Sequence, residues 1–140
     1  MKGNKTLIFF GILIILLAGA FIVYLTIFQS SESSVEKTAV DIKISAEELV
    51  NSFESDEQEA NARYLDKVLQ VNGNIESISE DDMYISITLK KPEAISGVIC
   101  SFDKSTLENT GFQTGNNITV KGICAGYLID VVLTKCALVE

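Results

Sequence analysis

Residues 68–89 read VLQVNGNIESISEDDMYISITL, and two runs of period two meet there across an acidic turn. In the first run Leu69, Val71, Gly73 and Ile75 share one face, while Gln70, Asn72, Asn74 and Glu76 share the other. Such alternation is the mark of a strand buried on one side. Gly73 in mid-run predicts a bulge or sharp bend, the device by which a sheet curls into a barrel. Glu80-Asp81-Asp82 makes the turn, after which Met83, Ile85, Ile87 and Leu89 alternate with Tyr84, Ser86 and Thr88. Lys90-Lys91-Pro92 ends the second strand, because proline has no N–H for a ladder.

Downstream, Val98, Cys100 and Phe102 line one side of a third strand. Residues 104–112 have room for a short helix, and Gly115-Asn116-Asn117 signals a turn. Ile118 to Gly122 forms a fourth strand and Val131 to Leu138 a fifth. Upstream, Ser45-Ala46-Glu47-Glu48 fits a capping box, followed by Leu49, Val50 and Phe53 at helical spacing. Ser55-Asp56-Glu57 offers a second start, with Ala60, Tyr64 and Leu65 as its inner stripe, so two short helices or one kinked helix occupy 45–65. The carboxylates at 54, 56, 57 and 59 read as a solvated helix face. The resulting class is mainly β with short helices. A five-stranded OB-fold Greek-key barrel preceded by one or two helices fits best, against a generic small sandwich or an α+β sheet.

Further upstream the chemistry changes. Leu7 to Phe28 is LIFFGILIILLAGAFIVYLTIF, 22 residues without a charge. As a helix it extends about 33 Å, close to the hydrocarbon thickness of a bilayer. Lys2 and Lys5 precede it and Glu32 is the first charge after it, which predicts a cytoplasmic N-terminus and an extracytoplasmic remainder. The expected organisation is therefore a cytoplasmic tail over 1–6, a transmembrane signal anchor over 7–28, a flexible linker over 29–41 and an OB-fold domain over 42–140. The rival is a cleaved signal peptide, with Ala18-Gly19-Ala20 as the small-residue site, although signal cores usually run only 7–15 residues. No cysteine follows the segment closely, so a bacterial lipid anchor is not expected.

Charge narrows the partners. With Lys2 and Lys5 set aside, residues 29–140 carry nine Lys+Arg against 19 Asp+Glu, a net charge of −10. Phosphate contacts need Lys and Arg, so such a domain is a poor general nucleic-acid binder.

The exported part also resembles a known family. Ile44 to Leu49, Tyr64 to Gly73, Cys100 to Asp103 and Val120 to Tyr127, leading into Asp130 to Cys136, look like the tRNA-anticodon-like (tRNA_anti-like) OB-fold domains. The specific portion is GxCxGxxxDVxLxxC over residues 122–136, and the likeness covers about 42–139. The resemblance implies an OB barrel preceded by helices, often in membrane-anchored or lipoprotein chains, and no enzymatic activity. The family's name is an analogy of fold, and fold is not function.

Catalytic signals are nearly empty. There is no histidine and one arginine, Arg63, and no metalloprotease, nucleophile-elbow or phosphate-loop motif occurs. The Glu80-Asp81-Asp82 turn lacks the alternating ligands and glycine of a calcium loop, so neither metal nor cofactor is expected. Cys100, Cys124 and Cys136 all alternate inward. Outside the cytoplasm oxidation is the default. A Cys124–Cys136 disulfide between neighbouring strands is the first expectation, with Cys100–Cys136 the alternative.

An OB fold binds on its strand 2–3 face and in the flanking loops. Here that places Tyr84, Ser86, Thr88, Ile99 and Ser101 in a groove, with Tyr127 and Leu128 in the loop beside it. Its bland reading is solvated sheet. The functional reading is a membrane-anchored binding module, held by Leu7 to Phe28, for a protein or glycan partner at the cell envelope. The alternative is a single-stranded nucleic-acid binder, stacking bases on the two tyrosines.

Overall fold

The computed structural model describes residues 14–24, 35–107 and 111–139. These belong to two compact units that divide between residues 33 and 34. In the first unit residues 14–24 are helical, with Ile14, Leu17, Phe21 and Tyr24 all exposed. Among the described residues no helix is long and apolar enough to cross a membrane. The rest of the expected span (7–13 and 25–28), the tail 1–6 and linker positions 29–34 lie outside the described residues.

The second unit is the barrel. Its strands are β1 (Ile42–Ser45), β2 (Val68–Glu80), β3 (Tyr84–Leu89), β4 (Val98–Asp103), β5 (Asn117–Tyr127) and β6 (Val131–Leu138). Two helices, α1 (Ala46–Ser55) and α2 (Glu57–Tyr64), precede β2. Val35–Lys37 and Lys104–Thr106 form 3₁₀ turns. The spatial order is β1-β2-β3-β4-β6-β5, and β5 pairs back on β2. β2 to β6 therefore close into the five-stranded OB barrel, with β1 added in parallel beside β2, from Ile42 opposite Leu69 to Ser45 opposite Asn72.

Closure depends on β2 changing partners along its length. Val68 to Asn74 pair with β5, while Ile75 to Glu80 pair with β3. The ladder slips between Ile75 and Ser77, so the bulge, one of the two features expected at Gly73, sits at Glu76 instead. Gly73 answers a different need. A Cβ there would lie 3.0 Å from the Cβ of Ala46 and 3.1 Å from that of Leu89, so glycine lets the start of α1 rest on the strand.

α1 begins as its sequence predicts. The Ser45 side chain accepts from the Glu48 N–H, and the Glu48 carboxylate accepts from the Ser45 N–H. The Asp56 carboxylate caps α2 by accepting from the Glu59 N–H at 2.9 Å. Leu49, Val50, Phe53, Ala60 and Tyr64 then face inward and join Leu69, Val71, Ile87, Leu89, Phe102 and Leu133 in one core. Leu65, expected on that inner stripe, is exposed, because α2 ends at Tyr64 and the chain turns out through Asp66, whose φ is 61°.

Two expectations change near the start of the domain. β1, at 42–45 just past the expected linker, was not foreseen in a segment with only four strand residues. Residues 35–41, expected to be flexible, are docked. Val35 is buried with Val68 and Ala137. The Lys121 Nζ donates to the carbonyls of Glu36 and Thr38, and the Asp41 carboxylate accepts from the Val68 N–H.

Candidate ligand-binding face

Alternation along β3 and β4 sorts their side chains into two sets. Ile87, Leu89, Val98, Cys100 and Phe102 are wholly buried. Tyr84, Ser86, Thr88, Ile99 and Ser101 point away from the core. Strand register then groups the outward set into rows. Ser77, Thr88, Ile99 and Val132 lie side by side across β2, β3, β4 and β6, and Ser79, Ser86 and Ser101 make the next row. These seven positions carry hydroxyls and two aliphatic groups but no charge, in a domain of net −10.

Charge gathers at the rim. Tyr84, 47% exposed, registers opposite Asp103 at one end of the face. The Asp81 carboxylate accepts from the Tyr84 N–H at 2.7 Å and the Met83 N–H at 2.8 Å. Those bonds hold its carboxyl below the usual aspartate range, the Tyr84 amide contributing most. Asp103 is likewise lowered by the hydroxyl and then the N–H of Ser105. Nearby lysines are engaged rather than free for phosphate. Lys104 pairs with Glu80, and Lys91 with Glu47 at 2.9 Å.

The two tyrosines do not meet. Tyr127 stacks on Phe53, ring centroids 5.4 Å apart at 23°, and registers opposite Val131. Val131 is level with Val98 and Leu89, five residues along β3 from Tyr84. That separation is about 17 Å of strand. Tyr84 remains at the rim of the face, whereas Tyr127 is spent on packing α1. The sequence signal for this was present in Phe53, an inward aromatic on α1, but its partner depends on the docking of the helix.

All three cysteines are buried free thiols. The expected Cys124–Cys136 disulfide is absent, and the register explains why. Lys121 pairs with Ala137 and Ile123 with Thr134, so β6 spends three residues where β5 spends two. Lys135 takes up the excess with φ of 53°. Cys124 therefore lies opposite Leu133, and the Cys136 thiol sits over Gly122, 2.7 Å from where a Cβ would stand. The neighbour of Cys136 is Cys100, the pair named as the alternative, but here as two thiols. Their mutual hydrogen bond, then burial, pushes the Cys100 thiol well above the ordinary value, and burial raises Cys124. Such thiols stay protonated at neutral pH and are poor nucleophiles.

A concavity of about 330 Å³ lies in the crook between α1 and α2, lined by Asn51, Ser52, Asp56, Glu59, Arg63 and Tyr64. Its donors and carboxylates are mixed and mostly exposed, and no site residue foreseen in the sequence falls in it. Among the described residues no group of His, Cys, Asp or Glu is placed to hold a metal ion.

Comparisons agree with the architecture. The tRNA_anti-like family model matches residues 1–138. A crystal structure of a lipoprotein from Klebsiella pneumoniae, proposed by its description to bind nucleic acid, superposes with a TM-score of 0.57 at 15% identity. It covers 79% of this chain and 100% of that one. The yeast Stn1 and Ten1 structure gives a TM-score of 0.45 at 11% identity, covering 77% and 66%. At 15% identity the likeness to the Klebsiella lipoprotein is one of fold. No curated protein sequence matches the chain.

Proposed function

This chain belongs to the tRNA_anti-like family and carries an OB-fold binding domain, and from that premise we propose that it is a binding module, not an enzyme, tethered to a membrane through Leu7 to Phe28 with its barrel outside the cytoplasm. Its ligand is an uncharged stretch of glycan or polypeptide at the cell envelope, taken on the outer face of β3 and β4. The observation that supports this is the neutrality of that face. Ser77, Ser79, Ser86, Thr88 and Ser101 offer hydroxyl donors and acceptors, Ile99 and Val132 an apolar strip, and Tyr84 a half-exposed ring at the rim. Neutral polar ligands are held by such mixed surfaces without the cost of desolvating a charge.

The second reading is single-stranded nucleic acid. Tyr84 favours it as a stacking surface, and the description of the Klebsiella lipoprotein proposes nucleic-acid binding. Against it stand the charge of −10 and the engagement of Lys91 and Lys104 by carboxylates. Single-stranded DNA and RNA oligonucleotides, titrated against the full chain in detergent at physiological salt, test the two readings. The expected result is no saturable binding. Micromolar binding that weakens with salt, and weakens further in Tyr84→Ala, would replace the neutral-ligand reading. Contact-dependent crosslinking from Ser86 and Ser101 in intact cells then identifies the ligand.

A further inference from the structure

At the end of the barrel away from Tyr84, two loops carry the most exposed large apolar side chains of this unit. Ile95, in the loop between β3 and β4, is 86% exposed, and Leu128 and Ile129, between β5 and β6, are 90% and 70% exposed. The loops are stapled together. The Asp130 carboxylate accepts from the Gly97 N–H at 2.7 Å, and the Gly97 carbonyl accepts from the Val131 N–H at 3.0 Å. Leu128 N–H donates to the carbonyl of Asp130 across its own turn. The three aliphatic groups are thus presented outward on backbone held by these bonds.

We propose that this tip inserts into the interface of a lipid bilayer. The inference rests on the tethering read above and extends it from the N-terminal span to the barrel itself. Three observations select lipid as the occupant. The tip consists of two isoleucines and a leucine and carries no arginine, whereas protein hot spots are enriched in arginine and poor in leucine. Apolar side chains with adjacent lysines are the composition of interfacial insertion. Lys90 and Lys91 lie on the Ile95 loop and are balanced by Glu93 and Asp130, with Lys91 also paired to Glu47, so the two loops carry no net charge of their own in a domain of −10. Finally, only residues 29–34 separate the end of the expected span from Val35, a reach of about 21 Å when extended. Val35 docks beside Ile123, four residues and about 13 Å of strand from Tyr127, where the Leu128 loop begins.

The chain contains no tryptophan, so one introduced residue reports alone. Full-length Leu128→Trp and Ile95→Trp, with Met83→Trp from the Tyr84 end as control, are reconstituted in phosphatidylcholine nanodiscs with and without brominated acyl chains. The tip variants should emit at shorter wavelength than the control and lose at least half their intensity in brominated discs, with Met83→Trp quenched at least threefold less. Adding Ile95→Ser and Ile129→Ser to Leu128→Trp should cut the quenching at least twofold. Disc-bound protein with unquenched, water-like emission at Leu128→Trp overturns the tip and leaves the anchor standing. A blue shift that grows with protein concentration without bromine quenching shows a second copy on the tip and also overturns it. Failure to co-elute with the discs overturns both the tether and the inference built on it.

Discussion

The two ends of the barrel solve the same problem, holding loops between strands, with opposite chemistry. At the Tyr84 end, an exposed aspartate caps a tight hairpin by accepting two backbone N–H groups, and Glu80, Asp81 and Asp103 keep the surface acidic. At the Leu128 end, Asp130 is partly buried between two loops, and its single bond to Gly97 leaves aliphatic side chains outermost. Below that end lies Tyr127 on Phe53, so the apolar tip stands over packed aromatic rings. One end is stabilised by local electrostatics and the other by tertiary packing. The difference teaches where each end will fail.

The largest effect should come from beneath the Leu128 end. Phe53→Ala removes the ring that both Tyr64 and Tyr127 touch. It should cost about 3–5 kcal/mol in denaturant unfolding. A loss below about 1 kcal/mol would show that the helices are not part of the cooperative core.

Asp130→Ala comes next. It leaves the part-buried Gly97 N–H without its acceptor and should cost about 1–3 kcal/mol. Hydrogen exchange should quicken at Gly97 while the Met83 and Tyr84 amides keep their protection. If both ends loosen together, the contrast drawn between them is wrong.

Acid attacks the other end. Asp81 and Asp103 have carboxyls lowered by hydrogen bonds to the folded chain, so their contribution is present above the unfolded value, about 3.9, and fades as pH falls through the lowered folded one. Amide exchange at Met83, Tyr84 and Ser105 should therefore lose protection below about pH 4, ahead of Gly97, and Asp81→Asn should abolish the pH dependence at Met83 and Tyr84. The smallest change is expected where least packs. Leu128→Ser and Ile95→Ser, at positions 90% and 86% exposed, should each shift unfolding by no more than about 0.5 kcal/mol, which makes them clean probes of binding.

Much of this was legible in residues read alone. The Ser45–Glu48 capping box, the inward parity of the three cysteines and the two strands on either side of Asp81 all follow from spacing within a few residues. Other features were not. Val35 in a Ser/Glu-rich stretch gives no periodic signal, yet Lys121 and Val68 far along the chain hold its segment in place. Of the expected groove, Tyr84, Ser86, Thr88 and Ser101 do share one face of β3 and β4, because period two determines which side of a strand a residue occupies.

By itself, then, the sequence determined the two short helices and the five barrel strands, which side of each strand is apolar, and that residues 29–140 carry excess negative charge. These are properties of adjacent residues or of composition. Only the tertiary structure decided how strands are offset against one another. The extra residue in β6 put Cys136 over Gly122 and out of line with Cys124, and the docking of α1 took Tyr127 from the groove. Register and helix docking are set by packing between segments distant in the chain, where a shift of one residue reverses which side chains meet, and no local pattern encodes that offset.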